Sequence, residues 1–231
     1  VQAPTARYET QYGYVERPVG ANTSWDEARY EVNQHRYLHV AEPGYGVGVA
    51  NDSSHGVDVT RRDDGGTLVR LSLLRAARYP DPGADLGTHR VAWSVVAADQ
   101  PGTVTAAYAL NAPVLDAVGD VEPLVSLALA EGSAVVDWVK LADDGSGDVV
   151  ARVAEVAGGR ARGTLVAGPD LRGATVVETD LHERPVPADD PLPRALDGAD
   201  DAPLDGAALR LRPFQLTTLR IRPAGSSITK E

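Results

Sequence analysis

The sequence predicts an all-β protein, on three observations. Its apolar segments are short, about four to eight residues, and many alternate apolar with polar side chains. Turn residues punctuate them, as in Asp64-Gly65-Gly66, Asp144-Gly145-Ser146-Gly147, Gly158-Gly159, Asp197-Gly198 and Asp205-Gly206. Helical signals are almost absent, and the best candidate, residues 126–131, is too short to stand against the strand pattern. Short strands parted by Gly/Asp turns read as a β-sandwich rather than a parallel α/β sheet.

Taken in order, Thr67-Leu68-Val69-Arg70-Leu71-Ser72-Leu73-Leu74 has period two. Residues 111–123 hold two prolines and a glycine without periodicity, as a linker does. Six strands follow, at 134–140, 148–155, 160–166, 173–178, 207–212 and 215–222. That number in about 100 residues suits a small immunoglobulin-like sandwich. Residues 180–203 carry five prolines and many acids and read as an exposed loop. The expected organisation is a first β-sandwich over 1–116, a second over 117–223 and a solvated tail over 224–231.

Composition narrows the function. Hydrophobic residues make up 43% and charged residues 24% of the 231, enough apolar surface for a folded core. No apolar run approaches the ~18 residues of a membrane span. With 33 acidic against 22 basic side chains, a net charge of −11 is a poor match for a phosphate backbone, so nucleic acid is not an expected partner. The absence of Cys excludes disulfides and thiolate metal sites. The chain begins at Val1 and has no Met, from which sequence upstream is expected. Lys140 and Lys230 are the only lysines, a bias that points to a GC-rich bacterial genome.

Residues that could carry chemistry form no complete site. His35 and His39 are four apart, but their flanks read as strand, where they would lie ~13 Å apart, too far to share one metal ion. A packed or polar sheet face is the alternative for both. Asp52, Asp58, Asp81 and Asp85 occupy turn-like positions where a glycosidase pair could sit, or are solvated surface charge. Gly-x-Ser-x-Gly is absent, and Gly44-Tyr45-Gly46-Val47-Gly48 is neither a phosphate loop nor a dinucleotide fingerprint.

The order of motifs is more specific. Val15-Glu16-Arg17-Pro18 precedes Asn22-Thr23-Ser24-Trp25-Asp26, Ala28-Arg29-Tyr30-Glu31-Val32 and His35-Arg36-Tyr37. Glu42-Pro43-Gly44-Tyr45-Gly46-Val47, Asn51-Asp52-Ser53, Leu71-Ser72-Leu73-Leu74-Arg75 and the 79–89 stretch follow. Later come residues 135–145, 178–185 and 211–219. This run resembles the C-terminal β region of family 38 glycoside hydrolases, the retaining, metal-dependent α-mannosidases, in the branch shared by bacteria and cytosolic enzymes. Departures from the family pattern are Tyr14, Tyr37-Leu38-His39 and Gly48-Val49-Ala50.

The resemblance implies a galactose-mutarotase-like supersandwich portion over 1–116 and a cytoplasmic location. It also implies that the catalytic carboxylate and the zinc or other divalent metal belong to an N-terminal domain absent from this chain. No catalytic residue, metal ligand or cofactor is then expected here. The implied partners are that N-terminal domain and, through the whole enzyme, mannose-containing glycans. An unpaired sheet edge makes a homo-oligomer a further expectation. Arg75 is the best match to an arginine brought to the pocket rim, with Asp52, His55 and Tyr45 as wall residues. A surface turn is the other reading of Arg75. Two functions stay open: a structural buttress that completes the pocket wall, and an autonomous carbohydrate-binding module using Trp25, Trp93 or Trp138, each of which core packing could instead absorb.

Overall fold

The structure, a computed structural model, describes residues 4–20, 22–112, 116–187, 189–198 and 200–225. The chain divides into two compact units, Val1–Val114 and Leu115–Glu231. Most of the expected tail, 226–231, lies outside the described residues.

The first unit runs β1 (Thr5–Thr10), β2 (Gly13–Pro18), α1 (Ser24–Glu27), β3 (Val32–Asn33), β4 (Tyr37–Glu42), β5 (Tyr45–Asn51), β6 (Gly56–Arg61), β7 (Thr67–Ser72), β8 (Trp93–Ala97) and α2 (Gln100–Asn111). Its strands form a five-stranded sheet, β2-β1-β4-β5-β8, and a three-stranded sheet, β3-β6-β7. Alternation along each strand sends Ala6, Tyr8, Leu38, Val40 and Val49 from the larger sheet into one core with Val57 and Val59 from the smaller.

Helix α2 contradicts the expectation that helices are absent. Gly102, Thr103, Val104 and Thr105 are weak helix formers, so its interior carries little propensity signal. Its start is nevertheless marked: Asp99 caps the Gly102 N–H at 2.9 Å, and Pro101 occupies the first turn. The helix covers the face of β4 and β5 opposite the core. There Tyr37 accepts from Gln100 Nε2 at 2.9 Å, and the Arg36 guanidinium stacks on Tyr108 at 4.2 Å. Burial works against the Arg36 charge, but hydrogen bonds and the charge of Glu9 outweigh it and raise its pKa.

The helix also explains the glycines of β5. A Cβ at Gly46 would stand 2.6 Å from the Ala98 carbonyl oxygen, and one at Gly48 would stand 2.8 Å from Thr103 Cβ. Gly48 permits close helix–sheet approach, and Gly46 makes room for the Ala98 carbonyl and the His39 ring. Only Gly44, at φ +81 in the β4–β5 turn, serves the backbone conformation itself.

The second unit contains β9 (Val125–Glu131), β10 (Ala134–Leu141), β11 (Val149–Glu155), β12 (Ala161–Ala167), a 3₁₀ turn (Pro169–Leu171), β13 (Thr175–Thr179), β14 (Leu196–Asp197), β15 (Ala202–Pro203), β16 (Ala208–Leu211) and β17 (Leu216–Arg222). Sheets β10-β11-β17-β13-β15 and β14-β16-β12-β9 enclose a core that includes Val149, Val153, Leu165, Leu209, Leu219 and Ile221. Residues 126–131, the best helical candidate, are strand.

The 180–203 loop is less exposed than its composition suggests, because Ala195 and Leu196 are buried. The buried Glu178 carboxylate holds them, accepting from both backbone N–H groups at 2.8 and 2.9 Å and from Thr217 Oγ1 at 2.6 Å. Glu155 joins two turns in the same way, accepting from the N–H groups of Ala157, Gly158 and Phe214.

Gly48→Ala should lower stability by about 1–3 kcal/mol through overpacking against α2, read from urea denaturation. Thr103→Ala in the same chain should restore part of the loss. His39, buried under α2, donates from Nε2 to the Ala98 carbonyl at 3.1 Å, while its buried Nδ1 has no partner. Burial lowers its pKa, and the Ala98 bond opposes this only in part. In the unfolded chain it takes up its proton near pH ~6.5. Stability from a neutral His39 is therefore complete above that pH and lost as pH falls toward the lower folded pKa. His39→Gln should reduce the difference in urea midpoint between pH 7.5 and 5.5.

Candidate functional site

Asn51 organises the end of the first unit where most of the predicted site residues lie. Buried at the close of β5, it donates from Nδ2 to the His35 carbonyl at 2.8 Å and accepts at Oδ1 from the Ser54 N–H at 2.8 Å. Its own carbonyl accepts from Asn111 Nδ2 of α2 at 3.0 Å. Asn111 is thus part of the fold and not of a linker. One side chain and one carbonyl thereby join the entry to β4, the turn after β5 and the last turn of α2.

Asp52 and His55 project from this turn, and both are exposed. The Asp52 N–H donates to the Ala92 carbonyl at 3.1 Å, and its Oδ1 accepts from the Ala92 N–H at 3.0 Å and from Ser53 Oγ at 2.6 Å. The Ser53 bond, then the Ala92 bond, hold its carboxyl below the usual range. His55 donates from Nδ1 to the Gln34 carbonyl at 3.0 Å and meets His35 edge to face, ring centroids 5.6 Å apart. Ser72 pairs with Gly56, so β7 ends beside His55 and Arg75 leaves from the same end of the sheet. Arg75 is exposed and makes no ion pair among the described residues.

Tyr45 does not join them. It begins β5 whereas Asp52 follows it, which separates the two by ~23 Å at strand rise. The four residues predicted for one rim divide into a group of three and a distant fourth.

The carboxylates that could have formed a glycosidase pair are engaged in holding structure. Asp58 pairs with Arg70, Asp81 accepts from the Gly83 N–H at 2.8 Å, and Asp85 accepts from the Ala76 N–H at 2.9 Å. Among the described residues no group of three His, Asp or Glu side chains could hold a metal ion. His39, His55 and His89 each place a ring nitrogen against a backbone carbonyl oxygen.

The alternation of β8 holds a feature that sequence reasoning missed. Trp93, Val95 and Ala97 pair with Asn51, Val49 and Val47, so they share the core-facing side of the sheet. Yet Trp93 is 58% and Val95 59% exposed, because β8 lies at the sheet edge, beyond what three strands cover. Leu73, Leu74, Tyr79 and Leu86 of the segment leading back to β8 are also exposed. Nor do the other tryptophans enter a core: Trp25 is 72% exposed, and Trp138 lies half-buried with Arg152 stacked on it at 4.4 Å. Strand membership argued for packing, but the side on which a strand is covered is a tertiary property.

The first unit is thus a sandwich with clamped turns and one uncovered inner face. Residues 1–83 match the glycosyl hydrolases family 38 C-terminal domain, and residues 133–219 match the glycosyl hydrolases family 38 C-terminal beta sandwich domain. The chain belongs to this family, as the C-terminal β region of its α-mannosidases.

Alpha-mannosidase 2C1 of Homo sapiens is 40% identical over 119 residues, covering 50% of this chain and 11% of that protein. Alpha-mannosidase G of Dictyostelium discoideum is 32% identical over 170 residues, 69% of this chain and 15% of its own length. The chain thus spans a small part of the curated relatives it matches. An alpha-mannosidase crystal structure from Enterococcus faecalis V583 shares the fold at a TM-score of 0.61 with 18% identity, covering 94% of this chain and 24% of that one. No helix among the described residues is long and apolar enough to cross a membrane.

Asn51→Ala should cost about 3 kcal/mol in chemical denaturation, since it leaves the His35 carbonyl and the Ser54 N–H without their partner. Hydrogen exchange should then rise at Ser53, Ser54 and Ala92 before the rest of the unit.

Proposed function

We propose that this chain is a non-catalytic C-terminal β region of an enzyme that hydrolyses terminal α-mannosides, supporting the catalytic domain and completing its pocket wall. In this reading the catalytic carboxylate and a divalent metal such as zinc belong to an N-terminal domain of the same polypeptide. The enzyme works in the cytoplasm, in keeping with the branch whose motifs the chain resembles. The observation that carries the reading is the uncovered inner face at Trp93 and Val95, with Leu73 and Leu74 exposed as well. An uncovered apolar sheet face of this kind marks an interface, because leaving it in water forfeits ~25 cal/mol for each Å² of apolar surface. The family and the printed names of the relatives, all alpha-mannosidases, support the chemistry.

Arg75, Asp52 and His55 stand at the end of the sandwich from which this segment leaves. Arg75 is the group free to reach outward, and its planar guanidinium suits a carboxylate of the catalytic domain or the paired hydroxyls of a sugar. Tyr45, at the far end, belongs to a different contact.

In the full-length enzyme Arg75→Ala should lower kcat/KM for a chromogenic α-mannoside more than tenfold, about 1.4 kcal/mol of transition-state binding, with the melting temperature little changed. Unaltered kinetics would remove Arg75 from the pocket. The isolated chain should show no turnover with or without added zinc, and activity that copurifies with it would defeat the non-catalytic reading.

A further inference from the structure

The segment between β7 and β8, residues 73–92, is irregular and almost wholly exposed, yet it is tied down near both ends. A connection of this length without regular structure is uncommon and more often functional than not. Its end is tied at Ala92, which bonds to the Asp52 carboxylate at 3.0 Å and to the Asp52 N–H at 3.1 Å. Its start is tied at Ala76, the residue after Arg75. The Ala76 N–H donates to Asp85 Oδ2 at 2.9 Å.

Both partners of that second bond have left-handed backbones, with φ +48 at Ala76 and +62 at Asp85. A Cβ disfavours this conformation, so it persists where surrounding bonds impose it. Aspartate tolerates it through local hydrogen bonds of its short polar side chain, and alanine has none to offer. At Ala76 the restraint therefore comes from elsewhere, and the Asp85 carboxylate supplies it.

Asp85 is itself braced. The Asp81 carboxylate accepts from the Gly83 N–H at 2.8 Å, and the Asp81 carbonyl accepts from the Ala84 N–H at 3.1 Å. His89 donates from Nε2 to the Asp85 carbonyl at 3.0 Å. A knot of turns over 81–89 thus delivers one carboxylate back across nine residues to the backbone beside Arg75.

The consequence for Arg75 follows from peptide planarity. The Ala76 N–H lies in the rigid plane that joins Ala76 to Arg75. Holding that N–H orients the plane, and with it the base from which the arginine side chain departs. The carboxylate takes the backbone donor and leaves the guanidinium without an ion pair among the described residues. A long side chain loses rotamer freedom when it engages a partner, and a misplaced base adds to that loss.

We propose that Asp85 is a positioning residue for Arg75, holding the backbone beside it so that the guanidinium meets its partner in one geometry. The proposal rests on the placement of Arg75 at the pocket rim in the preceding section, whereas the clamp stands on the geometry alone.

Two measurements test it. In this chain, NMR hydrogen exchange should find the Ala76 amide protected, and exchange roughly fivefold faster in Asp85→Ala. Asp85→Asn keeps an acceptor oxygen and should retain the protection. Ala76 exchange unchanged by Asp85→Ala would overturn the proposal whatever Arg75 does. In the full-length enzyme, Asp85→Ala should lower kcat/KM for a chromogenic α-mannoside roughly fivefold, and Asp85→Asn by less than about twofold, both with little change in melting temperature. In an Arg75→Ala background, Asp85→Ala should lower kcat/KM no further, because it acts through Arg75. Losses that simply add would overturn the proposal, since Asp85 would then act independently of Arg75. A tenfold loss in Arg75→Ala with unaltered kinetics in Asp85→Ala would overturn this proposal and spare the rim reading. Unaltered kinetics in Arg75→Ala would overturn both.

Discussion

In the first unit a five-stranded sheet is faced by only three strands, and much of what distinguishes this unit follows from that mismatch. On one face of β4 and β5 helix α2 supplies the missing cover, admitted by Gly48, where a side chain would collide with Thr103. On the other face β3, β6 and β7 cover the centre but not β8. Trp93 and Val95 therefore keep the inward register of core residues while remaining open to water.

Many acidic residues of this chain act as backbone ligands. Asp52, Asp99, Glu155 and Glu178 each accept from backbone N–H groups at turns or a helix start. Arg220 gathers Asp144, Asp148 and Ser146 around one guanidinium, and hydrogen bonds from Ser146 and Arg220 hold the Asp144 carboxyl far below its ordinary range. Carboxylates committed in this way are poorly placed to exchange protons with a substrate. The abundance of acids that suggests glycosidase chemistry in the sequence is, in the fold, a means of fixing loops.

The end carrying Asp52, His55 and Arg75, next to the uncovered β8 strip, has the apolar character of a protein–protein contact.

How much the sequence revealed depends on the range of the physics involved. The strands at 134–140 and 215–222 and the Gly/Asp turns were legible because period-two alternation and turn chemistry are local. The family was legible because ordered motifs survive in sequence. Helix α2 was not, since its stability comes from packing on the β4–β5 face and not from the propensity of Gly102 to Thr105. The roles of the candidate residues divide in the same way. The sequence by itself determined which residues stand in turns, as Asp52 and His55 do. Only the tertiary structure decided that Tyr45 lies a full strand away from them, that Asn51 is the clamp beneath them, and that β8 shows its inner face to solvent. Which sheet covers which is set by contacts between segments far apart in the chain, and no local pattern encodes that coverage.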